Sequence, residues 1–288
     1  MIPGSPGLAD FYIDFCSVVH GRFAEHMDIV CVSHLGHTRF HDNRGTVHRD
    51  DRVPSLEDQL ANMLLVFDEI DDVYRQLDQP PQILLCAHSV GCYFAQRLVE
   101  QRSERIDRVF GLFPAVESMA ETPRGRELGL LFRPGVRQAV AAAADVLRWL
   151  LPLRALYAMA ASTDSLEPRS ARLVVDKMLY GSCIRCILGM ADDELRMIGS
   201  LDEDLYRTHG HKFVLYYGAD DGWVPDECHR RMREANTQGR IILCDRGISH
   251  AFVTLHSAEM AAVVVEMLAE QLASAGGPPA QACTPRSQ

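Results

Sequence analysis

The sequence predicts an α/β protein, with a mostly parallel sheet, helices between its strands, and a helical insertion set into it. Two observations carry this. Short apolar runs alternate with longer segments of helical period at both ends of the chain, which is βαβ order. From Ala115 to about His209 that alternation stops, and the chain reads as helices joined by irregular links. The expected organisation is core in residues 1–114 and 209–274, insertion in 115–208, and a disordered tail in 275–288, which is small, polar and rich in Pro and Gly.

The elements follow in order. "MDIVCV" (Met27 to Val32) reads as a buried strand. Ser55 caps a helix, with Asp58 three residues on in capping-box fashion. Leu60, Leu64, Phe67 and Val73 keep helical spacing up to Leu77, and Pro80-Pro81 end the helix. "ILLC" (from Ile83) is the next strand, followed by a helix with Phe94, Leu98 and Val99 on one side. "RVFGLF" (Arg108 to Phe113) is another strand. After the insertion come "KFVLYYG", a helix from about Pro225, "RIILC", and a long helix after Ser257.

The bulk numbers exclude some classes. The 288 residues, 47% hydrophobic, are enough for a large core. A net charge of −10 argues against nucleic-acid binding. Nine scattered cysteines, with no basic and apolar leader ahead of them, read as reduced thiols on the cytosolic side. No run of eighteen apolar residues suggests a spanning helix.

The chemistry centres on Ala87-His88-Ser89-Val90-Gly91, a serine elbow between strand and helix. Such a turn lifts the hydroxyl out of the sheet and aims the Val90 amide and the helix N-terminus at the same space. A serine nucleophile needs a base, and the base needs an orienter. "YYGADDGWVP" supplies Asp220 and Asp221 just past a strand, and "CDRGISHAF" supplies His250 ahead of the last helix. Asp221 stands three residues after Gly218 and three before Val224-Pro225, so it is preferred to Asp220. The opening "MIPGSPG" is a Gly/Pro loop ahead of a helix. Pro6 has no N–H, so the Ser5 amide is the expected second oxyanion donor. His34, His37 and His41 ("HLGHTRFH") and the Cys183–Cys186 pair suggest metal spacing, but neither has partners spaced to complete a site. No metal or organic cofactor is expected.

"IPGSPG…FY", "VSHLGH", "AHSVGCY", "LFPAVESMAETPRG", "YYGADDGWVP" and "ISHAF" together resemble the lipid-droplet-associated hydrolase family, over nearly the whole chain. The resemblance implies an α/β-hydrolase fold and a lipid-ester or sterol-ester hydrolase. It also implies residence on lipid droplets and the endoplasmic reticulum, facing the cytosol. The family's catalytic serine, acid and histidine fall on Ser89, Asp221 and His250. It further implies strands ahead of Ile2 that this sequence does not contain, and Gly where Ala87 stands.

From Arg124 to Arg154 there are six arginines against Glu127 and Asp145. Within that stretch Val136, Val140, Ala143, Leu147, Leu150 and Leu151 share a helical face opposite Arg137, Gln138, Asp145 and Arg148. Such a helix suits a lipid monolayer, and it equally suits a cap packed on the core. The leading expectation is a serine hydrolase of lipid esters at a droplet or endoplasmic reticulum surface. Two other readings fit the same residues: a droplet-surface protein with weak or no catalysis, and a soluble small-ester esterase or thioesterase. The acyl chain, the alcohol and the oligomeric state are not encoded in any motif.

Overall fold

In a computed structural model of the chain, residues 1–38, 52–163, 166–244 and 246–274 are described. Four strands form one parallel sheet in the order β1 (Ile83–His88), β2 (Ile106–Leu112), β3 (Phe213–Tyr217) and β4 (Arg240–Leu243). Cys86 pairs with Phe110, Gly111 with Leu215, and Tyr216 with Ile242. All four carboxyl ends therefore open on one edge of the sheet, where α/β folds keep their functional groups.

The alternation of side chains along the strands divides the core in two. Val109, Phe213, Leu215 and Tyr217 face one side, where they meet α2 (Leu56–Arg75) and α3 (Val90–Arg102) through Met63, Phe67, Phe94 and Leu98. Phe110, Leu112, Val214 and Tyr216 face the other, against α1 (Ile13–Phe23) and α12 (Ser257–Ser274) through Phe15, Val19, Met260 and Val264. β3 is buried along its whole length, as a strand covered on both faces must be.

Several expectations hold with small shifts. The Ser55 hydroxyl accepts from the Asp58 amide at 3.1 Å, and the Asp58 carboxylate accepts from the Ser55 amide at 2.8 Å, closing the capping box. The core-facing stripe of α2 differs from the one the periodicity suggested. Leu56, Gln59, Met63, Phe67 and Asp71 are buried, whereas Val73 is exposed. Between β2 and β3 the chain forms helices, among them α4 (Pro123–Phe132), α5 (Pro134–Leu150), α6 (Leu153–Ala161), α7 (Pro168–Leu173), α8 (Gly181–Met197) and α9 (Glu203–His209). α10 (Asp226–Ala235) and the short α11 (Phe252–Leu255) complete the set. The expected disordered tail, 275–288, lies outside the described residues, as does His41.

One expected strand is not formed. Met27–Val32 runs without a ladder and is half-buried, with Asp28 and Val30 exposed. Between this segment and β1 lie Met1 and Ile2. Ile2 makes a single parallel bridge to Ala87, and the Met1 ammonium donates to the Val30 carbonyl at 2.6 Å. The remaining space is a groove of about 670 Å³ along Ile83–Cys86, lined by Phe15, Met27, Ile29 and Val264 among others.

The Ile2–Ala87 bridge imposes a requirement on the elbow. A Cβ on Gly91 would lie 2.4 Å from the Ile2 carbonyl oxygen and 2.7 Å from that of Pro3. Both are backbone atoms, so the whole opening segment would have to retreat from β1. Gly91→Ala is expected to lower unfolding free energy by about 1–3 kcal/mol, the usual cost of overpacking. The shift of the urea midpoint at constant m-value measures it.

Candidate active site

β1 ends at His88, and α3 begins at Val90, so Ser89 alone makes the turn. Its backbone sits at φ 52° and ψ −122°, a sparsely populated conformation for a non-glycine residue. Its amide donates to the Leu112 carbonyl at 2.9 Å, and its carbonyl accepts from the Cys92 and Ala115 amides. The neighbouring strand keeps the turn in place. Ala87 pairs with Gly111, so its methyl is accommodated at a position where the resemblance implies Gly.

The three polar side chains picked out in the sequence meet at the carboxyl edge. The Ser89 hydroxyl lies 2.9 Å from His250 Nε2, and His250 Nδ1 lies 2.6 Å from Asp221 Oδ2. Asp221 is buried, and its Oδ1 accepts from the Trp223 and Val224 amides at 2.8 and 3.1 Å. With two oxygens fixed by three donors, this carboxylate cannot rotate away from the imidazole. Asp220 stands at φ 55° and is exposed, whereas His250 Nδ1 is paired with Asp221. Among the described residues, no other group of the chain takes the Ser5 or Val90 amide. The opening loop passes close to the nucleophile, since a Cβ on Gly4 would come within 2.8 Å of Ser89 Cβ.

Two pairs of residues were not legible as site residues. The Tyr12 hydroxyl lies 2.6 Å from His88 Nδ1 and accepts from the Gly4 amide at 2.7 Å, while His88 Nε2 lies 2.8 Å from the His250 carbonyl oxygen. His34 and His37, whose spacing without further partners did not make a metal site, hold the opening loop. His34 Nε2 lies 3.1 Å from the Pro3 carbonyl, and His37 Nδ1 lies 2.7 Å from that of Pro6. Cys183 and Cys186 are buried in α8. Among the described residues, no group of three or more His, Cys, Asp or Glu side chains is arranged to hold a metal ion.

Burial keeps these imidazoles neutral. It lowers His34 from 6.5 to about 3, with the neighbouring His37 adding to the effect, and it lowers His37 to about 4. His88 is also pushed well below its ordinary value, by burial first and then by His250. Each folded-state value lies below the unfolded one. Below pH 6.5 the folded chain therefore binds fewer protons than the unfolded one, and the stability present above pH 6.5 is lost as pH falls. Glu194, raised by burial and by Asp193 to about 8, acts in the opposite sense: its contribution is complete below pH 4.5 and is lost as pH rises through 8. Three histidines against one such acid leave a fall on the order of 1–3 kcal/mol per pH unit below pH 6.5. Urea midpoints measured from pH 7.5 to 5 should drop accordingly, and a flat profile would contradict the neutral, buried assignment.

Comparison with known proteins adds a second line. Residues 1–253 match the model of a family described as lipid-droplet associated hydrolase. A lipid droplet-associated hydrolase of Gallus gallus is 29% identical over 281 residues, covering 94% of this chain and 84% of its own length. A protein of the same description from Homo sapiens is 25% identical over 290 residues, covering 94% of this chain and 84% of its own length. Among solved structures, a haloalkane dehalogenase from Agrobacterium tumefaciens superposes with a TM-score of 0.66 at 15% identity, covering 94% of this chain and 88% of that one. At that identity the likeness concerns the fold, which is that of the α/β-hydrolases.

Proposed function

The chain belongs to the lipid-droplet-associated hydrolase family, and from that premise we propose that it hydrolyses carboxylic esters of lipids with Ser89 as nucleophile, His250 as base and Asp221 as orienter. The observation that carries the reading is the continuous hydrogen-bonded line from Ser89 through His250 to Asp221. In the proposed reaction, Ser89 Oγ attacks the ester carbonyl while its proton passes to His250 Nε2. The developing oxyanion is received by the Ser5 and Val90 amides, at a helix N-terminus. Collapse transfers the proton from His250 to the departing alcohol and leaves an acyl-serine. Water, deprotonated by His250, then releases the acid.

The lipid part of the proposal rests on α5. Its inward side combines two alanines with the half-buried Arg137 and Arg148. Ala141 and Ala144 are buried there, in a helix packed on α8. Arg137 lies 3.8 Å from Asp192. Arg148 donates to the Val175 carbonyl at 2.6 Å and to the Tyr180 hydroxyl at 2.7 Å. The outward face is apolar. Trp149 is 82% exposed, Leu150 62% and Val146 53%, and Leu153 and Met159 of α6 continue the patch. A soluble cap would turn these faces the other way, and contiguous exposed apolar patches mark contact surfaces. We therefore read 115–208 as a cap whose α5–α6 edge lies in the surface of a lipid monolayer, such as that of a droplet or the endoplasmic reticulum. No helix of the described residues is long and apolar enough to cross a membrane. Sterol esters are within this substrate class.

A fluorophosphonate probe tests the catalytic half. Ser89→Ala should abolish labelling, and Asp221→Asn should slow ester turnover by about 10⁴, through the wrong imidazole tautomer. Asp220→Asn should change little. Labelling of the alanine variant at the wild-type rate would refute the nucleophile, and the reverse ranking of the aspartates would refute the acid. A wild-type protein that neither labels nor turns over would favour a non-catalytic surface protein.

Flotation with phospholipid-coated triolein emulsions tests the lipid half. Transfer of each large side chain out of water is worth about 1.5–3 kcal/mol when complete. Trp149→Glu with Leu150→Glu should therefore move the protein from the floating layer to the aqueous one without changing its melting temperature. Undiminished flotation of the folded double variant would leave the soluble-esterase reading as the better one.

A further inference from the structure

The line of bonds through Tyr12 and His88 has only one possible direction. The Gly4 N–H donates to the Tyr12 oxygen at 2.7 Å. The His250 carbonyl can only accept, so His88 Nε2 carries the proton of the neutral ring and donates to it at 2.8 Å. Nδ1 is then an acceptor, and the Tyr12 hydroxyl donates its proton to it at 2.6 Å. Tyr12 is 2% exposed and His88 3%, so water does not compete for these bonds. Phe252, with its ring centroid 4.7 Å from that of His88, packs against both rings.

The two ends of this line are the two loops the reaction depends on. Gly4 adjoins Ser5, whose amide is the proposed oxyanion donor. His250 is the proposed base. Neither loop is held firmly by the sheet: the opening segment has one bridge, at Ile2, and His250 lies in an irregular stretch between β4 and α11. We infer that Tyr12 and His88 are positioning residues that fix the oxyanion loop and the His250 loop in one register. The inference rests on the proposed triad. Misplacement of a donor by a fraction of an ångström weakens its bond to the transition state while leaving ground-state binding largely intact.

The test uses the full chain with p-nitrophenyl butyrate as substrate and an aryl boronic acid as a former of tetrahedral adducts at serine. Tyr12→Phe should lower kcat by about 10- to 100-fold with KM within about twofold, and weaken boronate binding by a similar factor. Tyr206→Phe is the control. It removes another buried hydroxyl, one that accepts from Gln96 at 2.7 Å, and should lower the melting temperature without changing kcat. If Tyr12→Phe behaves like this control, the two residues are structural only and the inference falls.

A second series covers the case in which Tyr12→Phe does not fold. His88→Gln can keep an N–H donor near the Nε2 position, whereas the shorter side chain of His88→Asn cannot reach the His250 carbonyl. The expected order of kcat is wild type, then Gln, then Asn, with KM unchanged. Equal kcat in all three overturns the inference. Ser89→Ala is assayed alongside. If it retains turnover, the triad reading itself fails; if it is inactive while Tyr12→Phe and the His88 variants are unimpaired, only the positioning role fails.

Discussion

The site depends on one strained residue. Ser89 is held at φ 52°, a conformation that costs a serine about 1–3 kcal/mol and persists only where surrounding bonds over-determine it. Three backbone bonds, to Leu112, Cys92 and Ala115, do so. The demand then spreads outward. The turn can be this tight only if position 91 has no side chain, because the Ile2 and Pro3 carbonyls occupy that space. Ile2 can be there only because it bridges to Ala87, and that bridge brings the opening loop against the nucleophile. The oxyanion loop, the elbow and the first strand are thus one mechanical unit, although they lie some 85 residues apart in the sequence.

What was legible in the sequence follows from how local each signal is. The elbow could be read because a serine between small residues, with a strand before and a helix after, has few other uses. Asp221 could be separated from Asp220 because spacing to Gly218 and Val224 is a local property, and the Trp223 and Val224 amides now give the reason for it. Tyr12 and His88 were not legible. Tyr12 reads as one more aromatic in an apolar stretch, and His88 as the last residue of a strand; their bond joins positions 76 residues apart. The strand expected at Met27–Val32 failed for a related reason, since apolar content reports burial but not the presence of a partner. In α5 the periodicity drew the faces only in part: Arg137 and Arg148 turn inward beside the buried Ala141 and Ala144, but Gln138 and Asp145 are exposed, Val140 and Leu147 are half-buried, and the exposed apolar residues include Val146 and Trp149, which the expected face lacked. The inward turn of the arginines depended on α8 and the segment before it presenting Asp192, Tyr180 and the Val175 carbonyl to Arg137 and Arg148.

The imidazoles around the elbow also divide the electrostatic work. His88 lies 5.3 Å from His250, centroid to centroid. Were it protonated, repulsion at an effective dielectric near 20 would oppose the His250 imidazolium by about 3 kcal/mol, or roughly a hundredfold in rate. Burial prevents this by keeping His88 neutral. His34 and His37 are neutral for the same reason and bond backbone carbonyls, not charged groups. His250 is the exception: it is the one of these four rings bonded to a carboxylate.

The insertion is tied to this machinery. The Arg124 amide, at the start of α4, donates to the Gly222 carbonyl at 3.0 Å, one residue beyond Asp221. Displacing the insertion would therefore pull on the loop that orients the base. Of the arginines that face inward on α5, Arg148 keeps two hydrogen bonds and Arg137 an ion pair with Asp192, so the helix carries little penalty on its buried side. The penalty lies on the outer side, where Val146, Trp149 and Leu150 forgo burial that the protein itself does not provide. The lipid monolayer proposed above would supply it, and esters of long acyl chains are dissolved in such a phase. A surface that gains free energy where the substrate is concentrated, joined by a backbone bond to the acid loop, gives the proposed enzyme both its location and its supply from one helix pair.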